Sequence, residues 1–502
     1  MWSVTKARKG ADAKHHVAVL VLGDMGRSPR MQYHCASLSK MGDTDVSFVG
    51  FGGEPCSREV EENRRVAKVE LAQPFAGCSR RFWLLWAPLK VLFQALQLLL
   101  VLTLGLRRVE AVLVQNPPSI PVLAVARLAT WAVGARLVID WHNFGYTILS
   151  HTLGTASPIV RVSRVYERLF GRLGDAHLCV TAAMRDWLRE NWQIDATVVH
   201  DKAPKFFRPT PPAERHALFG RLHAALAHVP ESAGLARAVP VTDSDRQTLL
   251  TVAGEGGAPP CARKDRPAVL FSSTSWTPDE DFGILLDALE LVNKAAVASP
   301  TRYPPFLVIV TGKGPQKAEY EARIRAEPMS RVAVRTLWLE ADDYPRIVGC
   351  ADLGISLHVS TSGLDLPMKV VDMFGAGVPV CAVGFPCLGE LVQHGNTGLV
   401  FADSKELASQ ILRLFDGWPR TAEHDSKPRE LKGLSPSDTA CLHGASLCSP
   451  EEREAATARA SEAAKGNLLA MLQAGVMRQR AVDWDANWNA AAKPVFRRGF
   501  AC

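Results

Sequence analysis

The fold class is indicated most clearly by AVLFSSTSWTPDEDF, residues 268–282. It joins a short apolar run, 268–272, to a loop rich in hydroxyl groups, and a helical stretch follows at 281–294. An apolar run of strand length that leads through a polar loop into a helix is typical of β-α-β units with a parallel sheet. Ligands of such folds bind at the carboxyl ends of the strands, so the pattern predicts function in the loops that follow strands.

Apolar runs of strand length alternate with helical stretches through most of the remaining sequence. Downstream, the predicted strands are 306–311, 332–336, 353–357, 378–382 and 398–401. Upstream, they are 17–22, 45–50, 67–71, 111–114, 136–139 and 176–180. A chain of 502 residues also exceeds the size at which a single core stops growing. The sequence therefore predicts an α/β fold with two consecutive doubly wound parallel sheets.

The alternation is interrupted at two places, which divide the chain into five predicted regions. Residues 209–267 are rich in Ala, Pro, Gly and charged residues and predict a linker with a variable insertion. Residues 418–474 predict an irregular extension. We therefore expect a first domain at 1–208, a second domain at 268–417, and a C-terminal segment at 475–502 that packs back on the first domain.

A long apolar segment, FWLLWAPLKVLFQALQLLLVLTLGL at 82–106, lies between two predicted strands of the first sheet. As a helix it is long enough to cross a bilayer of roughly 30 Å. A crossing would put strands of one sheet on opposite sides of the membrane, and Lys90, Gln94 and Gln97 interrupt the apolar run. We expect a membrane-associating helix docked in one leaflet, with a buried crossover helix as the alternative.

The composition indicates a folded chain but does not select one class of partner. Hydrophobic residues make up 47% of the sequence and charged residues 22%, and Lys and Arg exceed Asp and Glu by seven. This mild excess is compatible with an anionic membrane surface, with a phosphorylated ligand or with an ordinary soluble surface. We expect no nucleic-acid partner. The polar stretch 1–16 lacks the apolar core of a signal peptide.

Polar clusters follow strands of the first predicted sheet. GDMGRSPR at 23–30 combines two glycines with Arg27 and Arg30, which can pair with phosphate oxygens. A strand-to-helix turn with solvated arginines explains this stretch equally well. QNPPS at 115–119 and DWHNFGY at 140–146 place amides, a histidine and aromatic rings where an acceptor sugar could stack and hydrogen-bond, unless they are structural polar groups.

Three loops of the second predicted sheet have the composition of a nucleotide-sugar site. The hydroxyl-rich loop at 272–282 precedes a helix N-terminus, and TGKGP at 311–315 offers a lysine to a phosphate. STSGLDLPMKVVDMFG at 360–375 combines a glycine, hydroxyls and Lys369 near a helix start, with Asp372 one turn later for ribose hydroxyls. The alternative for this last stretch is a capping serine and a solvated lysine.

Several of these motifs, in this order, resemble one family of enzymes. The motifs are GDMGRSPRM at 23–31, VQNPPSIP at 114–121, DWHNFGY at 140–146, SSTSWTPDEDF at 272–282 and SGLDLPMKVVDMFG at 362–375. Together they are similar to the chitobiosyldiphosphodolichol β-mannosyltransferases. The resemblance covers most of the chain outside the linker and the region 418–470, so it is more specific than any single glycine loop.

The resemblance implies a GT-B architecture, in which two Rossmann-like domains with doubly wound parallel sheets face each other across a cleft. It implies a hexosyltransferase that moves mannose from GDP-mannose to GlcNAc2-diphosphodolichol in β-1,4 linkage with inversion, the first mannosylation of the lipid-linked precursor for N-glycosylation. It places the catalytic domains on the cytosolic face of the endoplasmic reticulum membrane. Members of the family usually carry an N-terminal anchor, which the polar stretch 1–16 does not resemble. We therefore expect either that the chain attaches to the membrane through 82–106 or that the gene model is truncated.

On the matching positions, the resemblance implies an acceptor site in the first domain and a GDP-mannose site in the second. Because an inverting displacement needs a base for the acceptor hydroxyl, we assign that role to Asp24, with His142 as the second choice. For the acceptor and its diphosphate we assign Gly26, Arg27, Arg30, Asn116 and Asn143. For the donor we assign Ser273, Thr274, Gly312, Lys313, Gly363, Lys369, Asp372 and Glu390.

The resemblance implies no required metal or other cofactor, since basic side chains and helix N-termini hold the diphosphate in GT-B enzymes. Stimulation by a divalent ion stays open. The implied partners are the two substrates, a membrane surface and other mannosyltransferases of the dolichol pathway. Two alternative interpretations are a catalytically silent subunit that recruits such transferases and a soluble sugar-nucleotide epimerase of the same fold. The intact phosphate and base positions count against the first, and the apolar segment counts against the second.

Overall fold

The computed structural model divides the chain into two compact units, each with its own parallel sheet. The first unit comprises Met1–Asp201 and Trp484–Cys502, and the second comprises Lys202–Asp483. The structure describes residues 2–4, 14–73, 83–106, 108–227, 233–242, 246–277, 280–340, 342–418 and 468–498.

The first unit is built on an eight-stranded sheet. Its strands are β1 (Trp2–Val4), β2 (His15–Asp24), β3 (Thr44–Phe51), β4 (Val66–Leu71), β5 (Ala111–Asn116), β6 (Arg136–Trp141), β7 (Ala176–Cys179) and β8 (Thr197–Val198). They are arranged in the order β1-β4-β3-β2-β5-β6-β7-β8. Only β1 runs antiparallel to its neighbour. Apolar residues fill the central strands and are buried, as a parallel sheet covered on both faces requires.

Helices cover this sheet. They are α1 (Pro29–Ser39), α2 (Arg58–Glu61), α3 (Trp83–Leu100), α4 (Val122–Val133), α5 (Gly145–Leu153), α6 (Pro158–Gly171) and α7 (Ala182–Trp192). A π-helix, Val101–Gly105, continues α3. The chain moves from β2 through β3 to β4 in one direction and from β5 to β8 in the other. Right-handed crossovers then place α1 on one face and α3 to α6 on the opposite face.

The second unit contains a six-stranded parallel sheet and a short two-stranded ribbon. The ribbon is β9 (Thr251–Val252) and β10 (Cys261–Ala262). The sheet strands are β11 (Ala268–Ser273), β12 (Phe306–Thr311), β13 (Val332–Leu337), β14 (Leu353–Ser356), β15 (Val380–Val383) and β16 (Gly398–Phe401). They are arranged in the order β13-β12-β11-β14-β15-β16.

The helices of the second unit alternate with these strands. They are α8 (Pro212–Arg221), α9 (His223–Ala227), α10 (Ala233–Ala238), α11 (Phe282–Ala298), α12 (Lys317–Ala326), α13 (Asp343–Val348), α14 (Met368–Gly375), α15 (Ser404–Leu414) and α16 (Leu468–Arg480). Two short 3-10 helices lie at Glu255–Gly257 and Leu388–Glu390. Asp281 caps α11 by accepting the amide hydrogen of Gly283 at 2.9 Å.

All twelve predicted strands are present, and their ends differ from the predicted ends by at most two residues. The α/β fold with two doubly wound parallel sheets is therefore confirmed. The four strands that were not predicted are short: β1 has three residues, and β8, β9 and β10 have two each. Runs of this length carry too little periodicity to be recognised in a sequence.

The apolar segment forms α3 and its π-helical continuation; residue 82 lies outside the described residues. Trp86–Gly105 is long and apolar enough to cross a membrane, by length and composition alone. Its flanking strands, β4 and β5, belong to one sheet, which a single crossing would split. Gln97 and Leu98 are buried and Leu92 is exposed, so α3 is a crossover helix with an apolar solvent side.

The structure divides the chain differently from the predicted boundaries. Residues 209–267, expected to be a linker, contain α8, α9, α10 and the ribbon, and they belong to the second unit. Their Ala, Pro and Gly content conceals short helices with buried residues such as Leu218. Helix α16 contributes Leu468 and Leu472 to the core of the second unit, so the return to the first unit begins at Trp484 rather than 475. Residues 419–467, most of the predicted extension, lie outside the described residues.

The last two helices, α17 (Trp484–Ala491) and α18 (Lys493–Arg497), complete the first unit. Trp484, Trp488 and Phe496 are buried in the same core cluster as residues of α1 and β2. The indole nitrogen of Trp488 donates to Nδ1 of His34 at 3.0 Å. The chain end is therefore part of the core of the first unit.

Candidate active site

The donor candidates of the second unit surround the point where its sheet reverses direction. The chain passes from β11 to β12 and β13 on one side and then to β14 on the other side of β11. The loops that leave β11 and β14 are therefore neighbours at the carboxyl edge, and doubly wound folds bind nucleotides at such a switch point. The first loop contains Thr274 and Glu280, and the second leads to Lys369 in the first turn of α14.

Glu280 is the buried centre of this switch point, with a side chain that is 2% exposed. One of its oxygens accepts hydrogen bonds from the hydroxyl of Thr274 at 2.5 Å and from the amide of Ser275 at 3.1 Å. The other oxygen pairs with the ammonium group of Lys369, and Nδ1 of His358 lies 3.8 Å from it. A buried carboxylate is stable only with such partners. The cluster thus joins Thr274 and Lys369, two predicted donor residues, through a carboxylate that was not predicted.

Two backbone segments approach each other so closely at position 312 that only a glycine fits there. The φ of Gly312 is 145°, and a Cβ atom at this position would lie 1.7 Å from the carbonyl oxygen of Thr274. The loop after β12 therefore packs directly against the loop after β11. The next residue, Lys313, places its ammonium nitrogen 3.7 Å from the ring centre of Trp338, which is 60% exposed. Lys313 therefore lies with an exposed indole at the ends of β12 and β13, and Trp338 is a surface feature that was not predicted.

Two further donor candidates meet at a half-buried tyrosine. Tyr344, in α13, is hydrogen-bonded both to Ser273 at the end of β11 and to Asp372, one turn after Lys369. Burial and the adjacent carboxylate of Asp372 raise the pKa of Tyr344 above its ordinary value. The phenol therefore stays protonated at neutral pH and links the first turn of α14 to the strand end.

Some hydroxyl groups of the loop after β14 form hydrogen bonds within the loop itself. The hydroxyls of Ser360 and Ser362 donate to the carboxylate of Asp365, and the amide of Gly363 donates to the Ser360 oxygen at 2.9 Å. Gly363 has a φ of 73°, which favours glycine. Glu390 ends the short 3-10 helix after β15, the strand beside β14, and is partly buried.

Asp24, the predicted base, closes a turn at the end of β2. One of its oxygens accepts the amide hydrogen of Gly26 at 2.9 Å, and the other accepts the amide hydrogen of Glu54 at 3.1 Å. A Cβ at Gly26 would lie 2.2 Å from the Glu54 carbonyl oxygen, so the two loops are in contact. Arg27 is exposed and lies 3.2 Å from the Glu54 carboxylate. Both oxygens of Asp24 are thus engaged in holding the loop.

A second carboxylate, Asp140 near the end of β6, is fully buried and organises the polar core of the first unit. It accepts two hydrogen bonds from Arg30, at 2.8 and 2.9 Å, one from His34 at 3.2 Å and one from Nε2 of His142 at 2.8 Å. Burial alone would raise the pKa of Asp140, but the nearby Arg30 and His142 hold it well below its usual value. Asp140 is therefore an anion at every pH near neutral.

The tautomer of His34 follows from its partners. The indole of Trp488 can only donate, so Nδ1 of His34 accepts, and Nε2–H of His34 donates to Asp140. Burial lowers the pKa of His34, which keeps the ring neutral.

Arg30, which was predicted to bind the acceptor diphosphate, is engaged by protein partners in the structure. Its guanidinium is buried and paired with Asp140, Asp201 and the carbonyl oxygen of Val199. All its directed contacts lie inside the first unit, so it stabilises the core.

Asn116, which was predicted to contact the acceptor, has similar structural partners. It is fully buried and donates to Glu167 at 2.7 Å and to the carbonyl oxygen of Asn143 at 3.2 Å. Glu167 also accepts the amide hydrogens of Gly145 and Tyr146, which fixes the start of α5. The side-chain oxygen of Asn143 accepts the Phe144 amide at 2.7 Å. These amides hold the loop that presents His142.

His142 combines a buried carboxylate partner with access to solvent. Its side chain is 21% exposed, whereas Asp140 behind it is fully buried. Because Nε2–H donates to Asp140, Nδ1 carries the lone pair that can accept a proton. A histidine oriented by a carboxylate in this way has the arrangement of a general base. Its geometry fits the role better than that of Asp24.

Glu280 was not predicted as a site residue, and the central position of Asp140 in the motif at 140–146 was not recognised, because the partners of both carboxylates are remote in sequence. Glu280 stands between two other acids in the loop 272–282, and Lys369 is 89 residues away. Asp140 is 110 residues from Arg30. A charged residue directly beside an apolar strand was the only available signal. Within the described parts of the chain, no group of three or more His, Cys, Asp or Glu side chains is placed to hold a metal ion.

Comparison with known proteins assigns both units to glycosyltransferase families. Residues 6–200 match the family described as "Glycosyl transferase 4-like domain", and residues 266–417 match "Glycosyl transferases group 1". Sucrose-phosphate synthase from Thermosynechococcus elongatus has a TM-score of 0.50 at 11% identity, with 93% of this chain and 99% of that chain covered. At this identity the likeness shows the fold alone, which is the two-domain GT-B fold.

Relatives that align over most of their own length identify the family more specifically. A Pongo abelii protein named chitobiosyldiphosphodolichol beta-mannosyltransferase is 45% identical over 83% of this chain and 87% of its own length. The Dictyostelium discoideum protein of the same name is 37% identical over 80% of this chain and 84% of its own length. An Arabidopsis thaliana protein named UDP-glycosyltransferase TURAN is 42% identical over 80% and 89%. With identities of this size over most of both chains, this chain belongs to the chitobiosyldiphosphodolichol β-mannosyltransferase family of GT-B glycosyltransferases.

Proposed function

We propose that the chain is an inverting mannosyltransferase that moves mannose from GDP-mannose to the chitobiose of a diphosphodolichol acceptor in β-1,4 linkage. Membership of the family supports transfer to a lipid-linked acceptor. The observation that carries the proposal is the Glu280 cluster, which fixes an ammonium group and a hydroxyl at the switch point of the second sheet.

The donor diphosphate is assigned to Lys369 and to the N-terminus of α14. Lys369 lies in the first turn of this helix, where unpaired amide groups and the ammonium together favour an anion. Glu280 positions Lys369, and a diphosphate at this end would share its ammonium group. Ser273, Thr274 and Asp372 are assigned to the nucleoside side of the site. In this proposal no metal is required, because these groups stabilise the charge of the leaving GDP.

The acceptor side is assigned to the first unit, with His142 as the general base. The acceptor hydroxyl oxygen attacks the anomeric carbon of mannose while the bond from that carbon to the GDP oxygen breaks. GDP leaves with the electron pair of the broken bond, and the hydroxyl proton passes to Nδ1 of His142. Asp140 orients the ring and stabilises the imidazolium that forms. We place this reaction at the cytosolic face of the endoplasmic reticulum membrane, where the apolar side of α3 contacts lipid.

The test is a transfer assay with the purified full chain in detergent, radiolabelled GDP-mannose and a phytanyl-diphosphate chitobiose acceptor. We expect a lipid-linked product that β-mannosidase cleaves and that still forms in the presence of EDTA. Loss of transfer on chelation would overturn the metal-independent site. Because the Arabidopsis relative is named a UDP-glycosyltransferase, UDP-glucose and UDP-GlcNAc serve as competing donors. Preferred transfer from either would overturn the assignment of GDP-mannose.

Lys369→Met tests the donor site within the same assay. Removal of the ammonium should lower kcat/KM for GDP-mannose by about 100-fold, because a charge that stabilises the leaving diphosphate is lost. Lys317→Met, in the nearby helix α12, is the matched control and should leave kcat/KM unchanged. Equal activity of Lys369→Met and the wild type would remove Lys369 from the donor site. Absence of transfer by the wild-type chain would favour the silent-subunit interpretation.

A further inference from the structure

The face of the first unit that carries α3 to α6 exposes an unusual amount of apolar side chain. Helix α4 lies beside both α3 and α6, and α5 packs on α6, so the four helices form one continuous layer. Exposed apolar residues from each of these helices are Leu89, Leu92 and Leu96, Leu128 and Trp131, Ile148, and Val162, Val165 and Leu169. We call this layer the α3–α6 face. Exposed apolar patches of this kind mark interaction surfaces.

Helix α6 shows that these side chains are not displaced core residues. Its sheet-facing side is formed by Val160, Ser163, Glu167 and Gly171, which are buried at a spacing of three to four residues. Val162, Val165 and Leu169 repeat at the same spacing on a different side, and Val165 is 65% exposed. A helix of a soluble protein carries polar residues there. Helix α6 therefore has two apolar sides, of which only one contacts the protein.

A basic stripe runs beside the exposed apolar side of α6. Arg161, Arg164 and Arg168 each precede a member of the apolar set and are exposed. Residues 83–134 and 145–172, which contain all four helices, have eight Lys and Arg but only two acids, Glu110 and Glu167. Glu167 is buried, and Glu110 pairs with His15 at 2.7 Å. Arg127 pairs with Asp175 at 2.7 Å, so the exposed Arg161, Arg164 and Arg168 of α6 give the apolar α3–α6 face its positive charge.

This combination fits the surface of an anionic bilayer. Helices with an apolar side flanked by Arg and Lys lie in the plane of the membrane interface, and tryptophans such as Trp86 and Trp131 favour the headgroup level. Trp131 is 61% exposed, and Arg127 lies over its ring at 4.6 Å. An apolar partner protein or a second copy of the chain would gain nothing from the basic stripe. Acidic headgroups would pair with it, at about 1 kcal/mol for each basic residue near the surface.

We propose that the α3–α6 face, including the apolar and basic stripes of α6, is a membrane-docking surface that is selective for anionic lipids. It rests on the proposed function only in that a lipid-linked acceptor requires the enzyme to reach a bilayer. The proposed membrane contact extends beyond α3 to a face that is four helices wide. The enzyme then lies flat on the membrane through the first unit.

The experiment is sedimentation of the purified full chain with vesicles of phosphatidylcholine, with and without phosphatidylserine. No acceptor and no sugar nucleotide are present, so the outcome does not depend on the transfer reaction. Val162→Asp/Val165→Asp should lower binding to the anionic vesicles by about tenfold or more. Arg161→Gln/Arg168→Gln should lower it by about fivefold per charge and should scarcely change binding to neutral vesicles. The matched control, Val297→Asp, is at an exposed position of α11 in the second unit and should bind as the wild type does.

Three outcomes would overturn the proposal. Wild-type binding by Val162→Asp/Val165→Asp, with Leu92→Asp in α3 alone reducing binding, would restrict the contact to α3. Equal binding of the wild type to neutral and anionic vesicles would remove the lipid selectivity. A wild-type dimer in size-exclusion chromatography that Val165→Asp converts to a monomer, without loss of vesicle binding, would assign the face to a second copy. Unchanged far-UV circular dichroism and melting temperature verify that each variant folds.

Discussion

At the residue scale, two carboxylates at strand ends differ in what surrounds them. Asp24 has both oxygens engaged by backbone amides of neighbouring loops. Asp140 is buried and uses one of its hydrogen bonds to orient the partly exposed His142. Sequence reasoning ranked Asp24 first because its loop was expected to face the cleft between the two domains. The backbone amides of Gly26 and Glu54 carry no signature in the sequence, so the engagement of Asp24 could not be predicted.

The ranking of the two candidate bases leads to a prediction about turnover. His142→Gln should lower kcat by about 10²- to 10⁴-fold, the usual contribution of a general base. This loss is measured as kcat at saturating GDP-mannose.

Asp24→Asn is the comparison for this prediction. The amide can still accept one of the two backbone hydrogen bonds, so we expect lower stability and a kcat close to that of the wild type. If Asp24→Asn loses turnover by this factor and His142→Gln keeps it, the base is Asp24 and our ranking is reversed.

A second residue-scale prediction concerns acid stability of the first unit. Burial lowers the pKa of His177 to about 4, and Nδ1 of this residue accepts from Trp141 at 3.3 Å. The unfolded chain has an ordinary histidine pKa of about 6.5 and therefore binds more protons than the folded chain between these values. Stability should fall as the pH drops through this window, by about 2 kcal/mol from His177 between about pH 7 and about pH 5. Buried His34 acts in the same direction.

Hydrogen exchange of β6 and β7, read by mass spectrometry at both pH values, measures this loss. His177→Gln keeps an acceptor for the Trp141 indole but cannot be protonated, so its exchange should depend less on pH. An equal pH dependence in the variant and the wild type would show that His177 does not carry the effect.

At the element scale, the strands were predictable and the loops between them were not. A buried parallel strand such as β12 is a continuous apolar run, which a sequence displays directly. The positions of loops depend on contacts such as that of Gly312 with the Thr274 carbonyl, which join neighbouring strand ends. The Glu280 cluster forms because β11 and β14 are adjacent. Sequence reasoning could place the loops at one edge but could not identify which side chains meet.

The two glycines of the donor loops differ in the cost of a side chain, which provides an element-scale prediction. Gly312→Ala would force the loops after β11 and β12 apart, because the Cβ would overlap the Thr274 carbonyl oxygen. We expect kcat/KM for GDP-mannose to fall by at least about tenfold, since a shift of about 1 Å in such a site has large effects.

Gly363→Ala is the control, because its Cβ meets no atom within 4 Å and only the φ of 73° opposes it. Gly363→Ala should lower the free energy of unfolding by about 1 to 2 kcal/mol. Equal kinetic losses in both variants would show that the close approach at Gly312 does not shape the donor site.

At the scale of the whole molecule, the division into two units does not follow the order of the chain. The sequence indicated a return of the C-terminus to the first domain, and the structure places Trp484–Cys502 in the first unit. The start of the return was not predictable, because α16 and α17 are both helical and partly apolar. Only the burial of Leu472 in one core and of Trp488 in the other separates them.

This arrangement predicts that the first unit depends on the last residues of the chain. Trp488 is buried, stacks with Phe496 at 6.1 Å and donates to His34, which in turn donates to the Asp140 that orients His142. Trp488→Ala should therefore destabilise the first unit by about 3 to 5 kcal/mol, the usual cost of emptying a large aromatic site. Trp488→Phe should cost less, chiefly the hydrogen bond to His34, at about 1 kcal/mol.

Hydrogen exchange should show faster exchange in β2 and β6 for both variants, whereas β11 and β12 stay at wild-type rates. Trp338→Ala, which removes an exposed indole of the second unit, should leave exchange in β2 and β6 unchanged. If Trp488→Ala leaves β2 and β6 protected, the C-terminal helices only cover the first unit and do not hold its polar core together.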